Sequence, residues 1–203
     1  DSVPKYRNSR SMIDASTLPQ LLDKAPAIAA PLDPGFRPMV LALRSYRKAV
    51  ASADVTETVS IAVERNSGLT TRVDIPVLPE GTEDKATYLI VERTLKFLLW
   101  ARGGWKVYIA GPDSVCNRLA AAYSADGERA FDADMMKRSY GKEFEIHIVG
   151  SDQVPAENEA GLELGGNLEG CRIGFDLGAS DYKLSAVVDG EVVFTTEIRW
   201  DPV

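Results

Sequence analysis

The chain is short of the residues that most readily announce a function. It has two cysteines, Cys116 and Cys171, far apart and with no Cys-x-x-Cys spacing, which gives neither a disulfide framework nor a zinc site. Reduced, buried thiols are the expectation. The one histidine, His147, accompanies no Ser or Cys at a recognisable nucleophile motif, so it reads as a partly buried structural residue rather than a general base. Lysine and arginine number 23 against 30 acids, a net charge of −7. That balance repels polyanions and argues against nucleic acid as a partner. Long apolar runs are also missing: Leu95–Ala101, which Lys96 interrupts, falls far short of the roughly 20 residues that cross a bilayer, so no membrane partner is expected. The polar opening Asp1–Arg10 lacks the apolar segment of a signal peptide, and a cytoplasmic location follows as an expectation.

What is present suits a globular α/β protein. Over 203 residues, 45% are apolar and 8% aromatic, enough for one good-sized core or two modest ones. Residues 1–36 hold five prolines (Pro4, Pro19, Pro26, Pro31 and Pro34), which block long regular structure and suggest an irregular arm over the surface. From Pro38 to Ser52 the spacing of Met39, Leu41, Leu43, Tyr46 and Val50 predicts a short amphipathic helix. Val55–Val63 and Thr70–Val77 flank Asn66-Ser67-Gly68 and predict a β-hairpin. Thr82–Ala101 predicts the longest helix, with Thr82 as its N-cap and Gly103-Gly104 as its end. Trp105–Ala110 reads as a strand, and Asp113 or Ser114 caps a helix running to Tyr123. Ser124–Lys142 is polar, and its acids Asp126, Glu128, Asp132 and Asp134 lack a calcium-loop order and read as a solvated loop. Phe144–Val149 is a further strand. Trp100, Trp105 and Trp200 read as core anchors at element ends.

Residues 37–150 thus form one α/β lobe, of mixed sheet and flanking helices, with the order strand, strand, helix, strand, helix, strand from residue 55 to 150. Residues 151–170, rich in Gly, Glu and Asn, read as a linker. In residues 171–203 the strands Cys171–Phe175, Leu184–Val188 and Val192–Trp200 follow, the last two joined by Asp189-Gly190, a strong hairpin signal.

The first of these turns carries the chemistry. An apolar strand delivers Asp176, then Gly178, Ala179 and Ser180 make a slim turn, with Lys183 just beyond. Small residues at a tight turn let phosphate approach outward-pointing backbone N–H groups. Asp176 is the metal candidate, holding magnesium through water, since that cation keeps most of its hydration. Lys183 reaches toward a phosphate oxygen.

This segment resembles the first hairpin of the ROK family of sugar kinases and repressors, within the actin, hexokinase and Hsp70 superfamily. That hairpin reads Asp-x-Gly-Gly-Thr-x-x-Lys, then strand, Asp-Gly and strand. Asp176, Gly178, Lys183 and Asp189-Gly190 match it, while Ala179 replaces the second glycine and Ser180 replaces threonine, keeping the hydroxyl. The resemblance implies an RNase H-like (actin-like ATPase) lobe, ATP and Mg as cofactors, and phosphoryl transfer to a sugar hydroxyl. It implies nucleotide and sugar as partners of the full protein and leaves a homo-oligomer open. It is also similar, in Trp105–Gly111 and the helix after it, to the strand, glycine turn and helix that grip adenosine in that superfamily. The family's sugar-binding Asn-Asp pair with its catalytic aspartate, its Glu-x-Gly-His segment and its cysteine-rich zinc motif do not occur before Val203. The chain is therefore expected to be a fragment or truncated relative with no catalytic residue of its own. The alternative is a non-catalytic ligand-binding or regulatory module with a degenerate phosphate loop. A DNA-binding repressor of the same family is disfavoured, because no helix-turn-helix pattern precedes the hairpins.

Overall fold

A computed structural model describes residues 18–159 and 165–201. The chain divides into two compact units, Asp1–Ala160 and Gly161–Val203, and is mixed α/β.

In the first unit the order is α1 (Met39–Ala51), β1 (Glu57–Glu64), β2 (Thr70–Val77), α2 (Asp84–Ala101), β3 (Lys106–Ala110), α3 (Asp113–Ala122), α4 (Ala130–Tyr140) and β4 (Glu145–Ile148). The strands lie in the order β2-β1-β3-β4. β1 runs antiparallel to both β2 and β3, and β3 runs parallel to β4. The β1–β2 hairpin closes where the sequence places its turn, with Ser67 and Gly68 both at positive φ, which lets the chain reverse within three residues. Five consecutive β1 residues, Val59 to Val63, are buried, so this central strand is covered on both faces.

Alternation sends Val59, Ile61 and Val63 to one side, where they join Val107 and Ile109 of β3 beneath α2, α3 and α4 in the main core. Ala62 and Ala110 point to the other side and meet Val154. That contact places residues 151–159, expected to be linker, across the back of the sheet. Arg72 donates to the Val154 carbonyl at 3.0 Å. Asn158 exchanges two 2.9 Å backbone hydrogen bonds with Thr70 on the outer edge of β2. Glu159 pairs with Arg65 at 2.5 Å and accepts from Thr71.

The proline-rich arm is more than a surface layer over its described part. Leu22 is 1% exposed and sits in a second core with Ala42 and Tyr46 of α1, Leu78, and Ala86 and Ile90 of α2. The Tyr46 hydroxyl lies 2.6 Å from the Thr87 hydroxyl and accepts from the Leu78 N–H at 3.2 Å, which satisfies the polar tip of a buried ring.

Helix starts differ from expectation in detail. The residue before α2 is Glu83, in the left-handed region, and Asp84 instead accepts from the Gly81 N–H at 2.8 Å. Pro112 precedes α3 without a side-chain cap, and the Ser114 N–H reaches Glu80 at 3.3 Å.

The largest departure is α4, which lies in the stretch read as a solvated acidic loop. Asp132 is 3% exposed, accepts from the Trp100 indole N–H at 2.6 Å and lies 3.4 Å from the Lys96 amine. Ala133 and Met136 face the core beside it. Nearby, Glu92 of α2 is equally buried and pairs with Arg129 at 2.5 Å, with Arg93 at 3.5 Å. Burial pushes the Tyr123 phenol far above its ordinary range, and Glu92 and Asp132 add to this, so its proton stays in place. Trp100 and Lys96 of α2 thus draw Asp132 inward, whereas Asp126 and Glu128 stay exposed as expected and Asp134 is only partly covered.

The second unit is an antiparallel meander of β5 (Cys171–Leu177), β6 (Asp181–Val188) and β7 (Glu191–Arg199). One face is apolar and much of it exposed, including Ile173, Phe175, Leu177, Phe194 and Ile198. The other carries Asp176, Lys183 and Glu197, paired across the three strands.

Two outcomes follow. Replacing Arg129 with Met leaves the buried Glu92 charge only its longer Arg93 contact and lowers the unfolding free energy by about 3 kcal/mol, whereas pairing it with Glu92→Gln restores much of that loss, as read by urea denaturation. A change below about 1 kcal/mol in the single variant contradicts the burial of this pair. The thiols also separate. Cys116 is buried, and that burial, with Asp113 nearby, pushes its thiol up to about 11, whereas Cys171 is exposed rather than buried as expected. A disulfide reagent at pH 8 is therefore expected to modify Cys171 promptly in the native protein and Cys116 only after unfolding.

Candidate functional site: the bend between β5 and β6

The residues picked from sequence do come together. Asp176 and Lys183 occupy paired positions on β5 and β6, so their side chains leave the same face of the sheet. Between the strands, Gly178 and Asp181 close the hairpin through the Gly178 N–H, which donates to the Asp181 carbonyl at 2.8 Å. Ala179 and Ser180 form the tip and are exposed. Neither the Ala179 nor the Ser180 N–H has a partner among the described residues.

Gly178 has a local reason for being glycine. A Cβ there would stand 2.9 Å from the Asp181 carbonyl oxygen and 3.2 Å from its carboxylate, so any larger residue would push the two strands apart. Ala179 has no such conflict at the exposed tip.

Lys183 is already engaged. Its amine lies 2.9 Å from Asp181 and 4.0 Å from Glu197. The Asp181 hydrogen bond, together with its charge and that of Glu197, holds the amine above its ordinary range. The Asp181 carboxyl is held low by the same bond, and Ser180 donates to it at 3.2 Å. Asp181, which the sequence reading did not single out, is thus the acid that organises the bend. The signal was the Ser-Asp-x-Lys spacing, since in a strand residues two apart share a face. The Asp176 carboxylate makes no side-chain hydrogen bond or salt bridge among the described residues, though its charge adds to those that raise the Lys183 amine, and it stays open to a cation.

Trp200 also belongs here and is no core anchor, being 39% exposed. Its indole N–H donates to the Gly178 carbonyl at 3.0 Å, and its backbone N–H to the Ser180 carbonyl at 3.1 Å. Its ring meets Tyr182 edge-on at 5.8 Å. Trp100 is likewise about half exposed, stacked on Phe131.

The other sequence candidates remain apart from this bend. His147 lies 2.7 Å from Glu145 and stacks on Tyr108 at 5.5 Å. Gly111, between β3 and α3, has φ +152°, and a Cβ there would stand 2.9 Å from Val59 and 3.2 Å from the Thr58 carbonyl, so close packing against β1 accounts for it. Among the described residues no group of three or more His, Cys, Asp or Glu side chains is arranged to hold a metal ion, and no helix is long and apolar enough to cross a membrane.

No family model, curated protein or solved structure matches this chain.

Chemically the bend offers two open N–H donors, one hydroxyl, one unpaired carboxylate and one amine held by acids. Three carboxylates (Asp176, Asp181 and Glu197) surround the single amine, so a bare polyanion meets net repulsion that a divalent cation would offset. Removing one acid tests the electrostatics. In Asp181→Asn the Lys183 amine loses its main partner and is expected to titrate at lower pH than in the native protein, read from its Cε resonance. An unchanged titration contradicts the pairing.

Proposed function

We propose that this chain is a fragment or truncated relative of an ATP-dependent sugar kinase of the ROK type, which transfers a phosphoryl group from ATP to a sugar hydroxyl. The observation that carries the reading is the exposed bend whose Ala179 and Ser180 amides are left open beside Asp176 and Lys183. In this role the amides and the Ser180 hydroxyl hold phosphate, Lys183 lies at a phosphate oxygen, and Asp176 takes Mg²⁺ through water. The donor set fits: one free hard carboxylate suits a cation that keeps most of its water. Bound Mg²⁺ would neutralise charge that builds on the phosphates during transfer.

Residues 171–203 are, on this reading, the opening of an actin-like ATPase domain, and the protein works in the cytoplasm with nucleotide and sugar as its partners. The RNase H-like assignment of the first unit draws its support from element order alone. The general base for the reaction would lie outside this chain, which is not expected to turn over ATP by itself.

A second reading, a non-catalytic regulatory module that keeps the bend, draws support from Lys183, whose amine is held by Asp181 and Glu197, and from the Ala179 methyl at the tip.

ATP consumption by the product of the complete reading frame, assayed against a panel of hexoses, separates the two: turnover with any sugar eliminates the module, and none eliminates the kinase. Within the bend, Asp176→Asn is expected to weaken Mg·ATP binding roughly tenfold and to remove its magnesium dependence. Ala179→Gly clears the methyl from the path of phosphate and is expected to tighten binding. Looser binding by Ala179→Gly would contradict the placement of phosphate at the tip.

A further inference from the structure

We infer that Trp200 is the positioning residue of the bend, fixing the Ala179 N–H in the direction in which it meets a phosphate oxygen. The inference rests on the phosphate reading of the bend and adds to it a residue from a different strand end. A peptide unit is planar and trans, so the carbonyl of Gly178 and the N–H of Ala179 belong to one rigid plane and point in opposite directions. The Trp200 indole N–H holds that carbonyl at 3.0 Å. Its ring packs edge-on against Tyr182, whose partners Leu177 and Ile198 lie on the apolar face of the meander. With the carbonyl turned toward that ring, the Ala179 N–H is turned away from it, toward the face that bears Asp176 and Lys183.

The other end of the tip is held by the same residue. The Trp200 backbone N–H takes the Ser180 carbonyl at 3.1 Å, so both outer peptide planes of the Ala179–Ser180 tip are bonded to Trp200. A two-residue tip without these bonds is free to flip its planes, and an amide that must be reoriented at binding gives up part of its bond in ordering. An apolar contact cannot replace the indole here, because what orients the plane is the N–H and not the ring area.

The test separates the N–H from the ring. Trp200→Phe removes the donor and some packing. Incorporation of benzothienylalanine at position 200, whose sulfur replaces the N–H in a ring of the same shape, removes the donor alone. In the 203-residue chain, both are expected to shift the Ala179 amide resonance while leaving in place those of β6 and β7 away from Tyr182 and Arg199, the neighbours of the ring. In the product of the complete reading frame, both are expected to weaken Mg²⁺-dependent binding of a non-hydrolysable ATP analogue about fivefold to tenfold. Binding within twofold of the native protein, with the Ala179 resonance unmoved, overturns this inference alone. Absence of nucleotide binding in the native protein overturns the phosphate reading, and this inference with it.

Discussion

Every peptide N–H and carbonyl removed from water has to find a partner, and that requirement shapes both units. In the first it places β1 between two strands, because a segment buried from Val59 to Val63 cannot tolerate an open edge. It also explains the strap. Residues 151–159 bring Val154 over Ala62 and Ala110, and the Asn158 backbone satisfies Thr70 at the outer edge of β2. In the second unit the same requirement is met along the strands and relaxed at the Ala179–Ser180 tip, where exposure lets water or an anion supply the missing acceptor.

The bend has little freedom to be anything else. Gly178 is tied to Asp181 through its N–H and to Trp200 through its carbonyl, and the Asp181 carbonyl leaves no room for a side chain at Gly178. The charges around it act in the opposite sense. Asp181 and Glu197 hold the Lys183 amine in its charged form, yet together with Asp176 they leave the surroundings net acidic. On the proposed reading, the ligand carries anionic oxygens and brings a cation with it.

Much of this was legible in the sequence where one side chain pattern decides one element. Alternation in β1 and β2, the apolar spacing of α1 and α2, and Asp189-Gly190 between β6 and β7 each placed an element within a few residues. So did the local register of Asp176, Gly178 and Lys183, since paired strands joined by a tight turn bring near neighbours together. What could not be read was whatever depends on a distant partner. α4 looks solvated until Trp100, Lys96 and Glu92 supply partners for Asp132 and Arg129. Leu22 looks like arm until α1 and α2 close around it. Trp200 looks like core until its indole is seen to reach a carbonyl 22 residues away, and Asp181 looks incidental until Lys183 turns to it.

The account turns on whether the open amides of the bend receive an anion. The most direct measurement is a ¹H–¹⁵N titration of the product of the complete reading frame with a non-hydrolysable ATP analogue, with and without Mg²⁺. The Ala179 and Ser180 resonances are expected to move first and furthest, and only when magnesium is present. Shifts confined to other residues, with those two unmoved at saturation, would contradict it.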